Sequence, residues 1–156
     1  MNIKLILALG LLFLIGCSKS PVELFQIAEQ KLKNKQPDLA LVDLEELLEK
    51  YPNDSLAASA LYKMSTIHIN WNNNLSSGFR ALEELLKRFP KSKQGEQAKI
   101  EIEEFPDFVL NKTESLRKKD MTKEAVENLM YLIENYPKHE LLPKAQYMLG
   151  DLYMND

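Results

Sequence analysis

The sequence is poor in the residues that most chemistry needs. It holds one cysteine, Cys17, in 156 residues. A lone thiol excludes a disulfide within a monomer and leaves no Cys/His metal spacing. The two histidines, His68 and His139, stand 71 residues apart. His68 reads as a packed or half-exposed helix residue, and His139 falls in a turn. Only three glycines follow Cys17, with no glycine-rich phosphate loop among them. No segment sustains the two-residue alternation of a strand, which leaves an all-α reading. The longest basic run is only Arg117-Lys118-Lys119, and acids outnumber Lys and Arg by 23 to 20, a mildly acidic balance that argues against nucleic acid as a partner. The longest apolar run, residues 5–15, is about half of the roughly 20 residues needed to span a bilayer.

That short run has a use of its own. Asn2-Ile3-Lys4 supplies one positive charge, Leu5 to Ile15 an apolar core, and Leu14-Ile15-Gly16-Cys17 the end of it. Together they read as a signal peptide over residues 1–16. The last four resemble the lipobox of bacterial lipoproteins, in which cleavage falls before the cysteine and its sulfur is diacylated. Cys17 is thus the expected lipidation site, and residues 17–20 a short tether. Two or more acyl chains, each methylene contributing about 0.8 kcal/mol, anchor a protein stably. Removing residues 1–16 takes away one lysine and no acid, leaving a net charge of −4. The covalent lipid, rather than a basic surface, would make the membrane contact. By the sorting rule of such lipoproteins, Ser18 favours the outer membrane over the inner.

From Ser20 onward the pattern is helical. Ser20-Pro21-Val22-Glu23 reads as a capping box with proline in the first turn, opening a helix to about residue 34. Positions 24, 25, 27, 28 and 32 share its apolar face. A second helix, about 38–50, is expected to bury Leu39, Ala40, Val42, Leu44, Leu47 and Leu48. It stops at Tyr51-Pro52, because the residue before a proline is pushed out of the α region. Helices at about 56–70 and 75–88 follow. Residues 92–120 read as one long helix interrupted at Phe105-Pro106, or as two in line. The last helix spans about 141–154.

Within this run one stretch recurs. Leu44-Glu45-Glu46-Leu47-Leu48-Glu49-Lys50-Tyr51-Pro52 returns as Leu82 to Pro90 and, more loosely, as Leu129 to Pro137. The aromatic-proline pairs are 38 and 47 residues apart, so a second register of 85 joins the first copy to the third. In that register Ala40 meets Ala125, Leu44 meets Leu129, Leu47 meets Leu132, Ala60 meets Ala145 and Pro21 meets Pro106. Small residues let helices approach and large ones fill the groove, so the chain reads as stacked helix pairs. The unequal spacing puts an inserted segment in the third unit, which is nine residues longer than the second.

Ala145-x-Tyr147-x-Leu149-Gly150-x-x-Tyr153 resembles helix A of a tetratricopeptide repeat. On that resemblance the fold is an all-α, tetratricopeptide-like helical-hairpin solenoid over residues 21–156, with about seven helices. The repeats fall at about 21–52, 55–90 and 92–137, followed by a lone helix A. Pro21-Val22-Glu23-Leu24-Phe25, Leu48-Glu49-Lys50-Tyr51-Pro52, Phe89-Pro90-Lys91-Ser92 and Tyr136-Pro137, with the lengthened third unit, resemble the BamD family. Its members are tetratricopeptide lipoproteins of the outer-membrane β-barrel assembly machinery. Similar Tyr-Pro repeats occur in the Tol-Pal-associated cell-division coordinator.

The resemblance implies a concave groove lined by Ser59, Tyr62, Thr66 and Ile69, and at the far end by Lys144, Tyr147, Asp151 and Met154. Tyr62 and Tyr147 could equally be core. The last helix carries an apolar set that includes Met148, Leu152 and Tyr153, a candidate exposed end. Trp71 reads as a cap on the core more readily than as an interface anchor. Glu101, Glu103 and Glu104 read as a solvated face rather than a cation site, since carboxylates at successive helix positions do not converge. Three Asn-x-Ser/Thr triplets, at Asn53, Asn74 and Asn111, are chance matches in a bacterial lipoprotein.

No nucleophile, base or metal constellation is left, so an enzyme is not expected and no cofactor beyond the lipid on Cys17. The expected activity is binding: a periplasm-facing scaffold, lipid-anchored in the outer membrane, that holds a protein or peptide of the cell envelope. It would serve as an accessory of outer-membrane protein assembly. The alternative is an envelope organiser for peptidoglycan-linked or division proteins.

Overall fold

The computed structural model describes residues 18–155. They form eight helices and, among the described residues, no strand: α1 (Pro21–Lys33), α2 (Pro37–Lys50), α3 (Ala57–Asn70), α4 (Leu75–Arg88), α5 (Lys93–Glu103), α6 (Phe105–Arg117), α7 (Thr122–Asn135) and α8 (Leu142–Asn155). The chain divides into two compact units between Leu56 and Ala57.

The first unit is the hairpin of α1 and α2. Its entry is fixed by Ser20, whose Oγ accepts from the Glu23 N–H at 3.2 Å while the Glu23 carboxylate accepts from the Ser20 N–H at 2.7 Å. Pro21 then opens the helix without forfeiting a hydrogen bond. Leu24, Ala28, Ala40, Leu44 and Leu47 are fully buried. The expected stripe on α2 is partly displaced. Leu39 and Val42 are 50% and 56% exposed, and Leu41 and Asp43 are buried instead. Seven of the ten residues 39–48 are apolar, so more than one face satisfies the 3.6-residue period. Alanine and leucine at 40, 44 and 47 fix which one faces inward.

In the second unit α3 pairs with α4, and α5 packs back on both. The α3–α4 approach is close: a Cβ at Gly78 would stand 2.3 Å from the Ile69 side chain. Entry to α5 is held by Ser92, whose Oγ accepts from the Gly95 N–H at 2.9 Å and donates to the Phe89 carbonyl at 2.8 Å. Gly95 is required there, because a Cβ would fall 2.0 Å from that same carbonyl oxygen.

The inserted segment is two helices joined through one residue, Glu104 (φ −92°, ψ 4°). Phe105-Pro106 begins α6, and both residues are buried. Helix α6 pairs with α7, and α8 packs on α7. Ion pairs Arg117–Asp151 and Lys144–Glu114 (2.9 Å) also tie α8 to α6. Trp71, expected to cap the core, is 49% exposed in the α3–α4 turn.

The three aromatic-proline stops are one structure repeated. Tyr51, Phe89 and Tyr136 have φ, ψ of −131°, 55°; −131°, 50°; and −126°, 53°. Each donates its backbone N–H to the leucine carbonyl four residues back, at 2.8–2.9 Å, and accepts from the N–H three residues on. Every alanine and leucine pair matched at an offset of 85 is buried, none more than 3% exposed.

Candidate partner-binding groove

Tyr62, Thr66 and Ile69 lie four and three residues apart on α3, and thus on one side of it. They line a cleft of about 320 Å³ closed on its other side by the end of α5 and the start of α6. Leu82, Ser65 and Phe105 are its buried lining, at 0%, 1% and 2% exposed, and Phe108 is 40% exposed. Phe105 is held from behind by Phe79 of α4, with ring centroids 4.9 Å apart, and lies 5.9 Å from the Phe108 ring.

The polar edge is built around Glu101. Its carboxylate accepts from the Tyr62 hydroxyl at 2.6 Å and from Gln97 Nε2 at 2.9 Å. Partial burial, with the Glu101 carboxylate alongside, pushes the Tyr62 phenol up to about 12. Tyr62 is therefore a neutral donor at any physiological pH. Thr66 Oγ1 donates to the Tyr62 carbonyl at 3.0 Å, a bond within the helix. Ile69 is 6% exposed and serves mainly as packing against Gly78.

Ser59, expected beside these three, is outside the cleft. Its hydroxyl accepts from Gln94 Nε2 at 2.9 Å and ties α3 to α5. Phe105, Phe108, Glu101 and Glu104 were not expected in a site. The available signal was the Phe105-x-x-Phe108 spacing just after a helix break, which puts two rings on one side of a new helix.

At the far end, Met148 is 4% exposed and does not belong to an exposed face. It falls three residues after Ala145, on the side of α8 turned to α7. Leu152 is half-buried, while Tyr147, Tyr153 and Met154 are 74%, 65% and 79% exposed. Lys144 and Asp151 are engaged in the ion pairs to α6. An open depression of about 610 Å³ runs beside Glu114, Arg117, Lys144, Tyr147 and Leu152.

Cys17 and the segment before it lie outside the described residues. Among the described residues, no group of three or more His, Cys, Asp or Glu could hold a metal ion, and no helix is long and apolar enough to cross a membrane. Helical hairpins with repeated aromatic-proline stops, and a largely apolar cleft between α3 and the α5–α6 junction, define an all-α repeat protein. Residues 18–155 match the family model YfiO, described as outer membrane lipoprotein, and the chain belongs to that family. This agrees with the BamD-like character read from the aromatic-proline stops and the lengthened third unit. A search of curated proteins finds no match.

Proposed function

We propose that this outer membrane lipoprotein is a periplasm-facing scaffold, anchored through lipid on Cys17, that serves as an accessory of β-barrel protein assembly. Its work is binding. The cleft of Tyr62, Thr66, Phe105 and Phe108 receives an extended segment of a protein partner. The observation that carries this reading is the family match over residues 18–155. The cleft supports it, since a concave, largely apolar site with a few placed polar groups is the usual form of a binding site. The tetratricopeptide class of the repeats belongs to the same proposal.

The test is affinity purification of the lipidated protein from its own membranes in detergent. The β-barrel assembly complex should be recovered, and barrel proteins should fall on depletion of the chain. Recovery of division or Tol-Pal components alone, with barrel proteins unchanged, would replace this reading by that of an envelope organiser.

A further inference from the structure

The cleft between α3 and the α5–α6 junction has a charge pattern as well as a shape. Its ten lining residues include two carboxylates, Glu101 and Glu104, and no lysine, arginine or histidine. Both carboxylates belong to the short segment where α5 ends and α6 begins, and Phe105 and Phe108 follow directly. Acidic oxygens therefore stand beside aromatic rings around one opening. Glu101 already accepts from Tyr62 and Gln97 on one oxygen, Oε1. A carboxylate offers about four acceptor positions over its two oxygens, so capacity is left on Glu101. Glu104 is exposed at the mouth.

A ligand that satisfies this opening carries positive charge at the end of an apolar stem. Long basic side chains meet that description, because their methylenes pack on apolar surface while the head group reaches a polar rim. Aromatic faces attract cations within about 6 Å of the ring centroid. Arginine fits better than lysine, since its planar guanidinium can stack on a ring and donate in a fork to carboxylate oxygens at once. The volume of about 320 Å³ is enough for one such side chain and an apolar neighbour.

We infer that this cleft recognises a segment of a partner protein through an arginine side chain, seated between Phe108 and the Glu101 and Glu104 carboxylates, with an adjacent apolar residue over Phe105. The inference rests on the cleft being the partner site and adds the chemistry of what enters it. It makes the interaction salt-sensitive, which a purely apolar cleft would not be.

The experiment uses the full lipidated chain in detergent and a positional-scanning array of immobilised nonapeptides. Arginine beside an aliphatic or aromatic residue should be selected. Glu101→Gln with Glu104→Gln should weaken the selected peptides by at least about tenfold, in the range of losing a charged hydrogen-bond partner. The amide oxygen that replaces the Glu101 carboxylate can still accept from Tyr62, so the fold is kept, and an unchanged melting temperature checks this. Arg→Gln in the peptide should cost a similar factor. Selection of uncharged peptides, bound equally by the double variant but lost in Thr66→Trp, would overturn the arginine inference and leave the cleft as the partner site. Peptides that bind Thr66→Trp as well as the native chain, or no selection at all, would overturn both.

Discussion

Residues 43 and 128 occupy one register of the repeat, 85 positions apart, and are buried to 2% and 1% exposure. The two hairpins bury a polar side chain there in opposite ways. In α1–α2, the Asp43 carboxylate is ion-paired with Lys31, and Lys19 lies 3.8 Å away. In α6–α7, the positions matching Lys31 and Lys19 are Leu116 and Glu104, so the cations are gone. The carboxylate is gone with them. Asn128 is a neutral amide, and neither its oxygen nor its nitrogen has a hydrogen-bond partner among the described residues. In α4 the same register holds Ala81, with no polar group at all. The lesson is that helix-packing register and electrostatics separate. The apolar positions repeat, while a buried charge and its counter-charges are present or absent as a set.

The sharpest way to break this comparison is Asn128→Asp, which puts the first hairpin's carboxylate where no cation accompanies it. An unpaired buried charge costs about 3–5 kcal/mol. Burial raises the folded-state pKa of the new carboxyl above its unfolded value of about 3.9. The variant should therefore match the native chain below about pH 4 and lose stability as the pH rises through the raised pKa. Urea unfolding at pH 4 and pH 8 measures this. Equal stability at pH 8 would mean that a cation reaches residue 128 after all.

Asp43→Ala attacks the comparison from the other side, with a smaller expected effect. It removes the carboxylate and leaves the lysines, but the Lys31 and Lys19 side chains are 26% and 46% exposed and can turn to water. The cost should be roughly 1–3 kcal/mol, in the range of a charged hydrogen bond rather than a stranded ion. A urea midpoint unchanged by the substitution would show that the pair behaves like one on the surface.

How much of this could be read from the residues follows the same division. The packing frame was legible: Ala40, Leu44 and Leu47 are buried as Ala125, Leu129 and Leu132 are, and the three stops share their dihedral angles. Periodicity and proline are local signals and act locally. Leu39 and Val42 were misplaced because their segment is apolar on more than one side. The floor and acidic rim of the cleft were missed because Phe105, Phe108, Glu101 and Glu104 meet α3 only when α5 and α6 fold back. No period within α5 or α6 encodes that approach. The hairpin turns were half legible. Asn72-Asn73-Asn74 announces a break, but Lys35 and Asp120 carry no such mark.

Those turns give the finest test of whether the hairpins are copies of one unit. Lys35, Asn73 and Asp120 are the non-glycine residues with positive φ among the described residues, at 57°, 47° and 56°. They share one register, at offsets of 38 and 85. After Lys35 and Asp120 the next N–H reaches back five residues, Gln36 to Lys31 and Met121 to Leu116, at 2.9 and 3.1 Å, closing the helix end. Left-handed backbone costs an ordinary L-residue about 1–2 kcal/mol, less for Asn and Asp, and glycine almost nothing. Glycine also has more freedom to lose on folding, which offsets part of the gain. Lys35→Gly should therefore stabilise by about 0.5–1 kcal/mol, Asp120→Gly by less, and Asn73→Gly least, since asparagine tolerates this region best. Thermal midpoints of the three variants give the order. If Asn73→Gly gained as much as Lys35→Gly, side-chain identity would not be setting the strain. The three turns would then be alike in shape but not in what holds them.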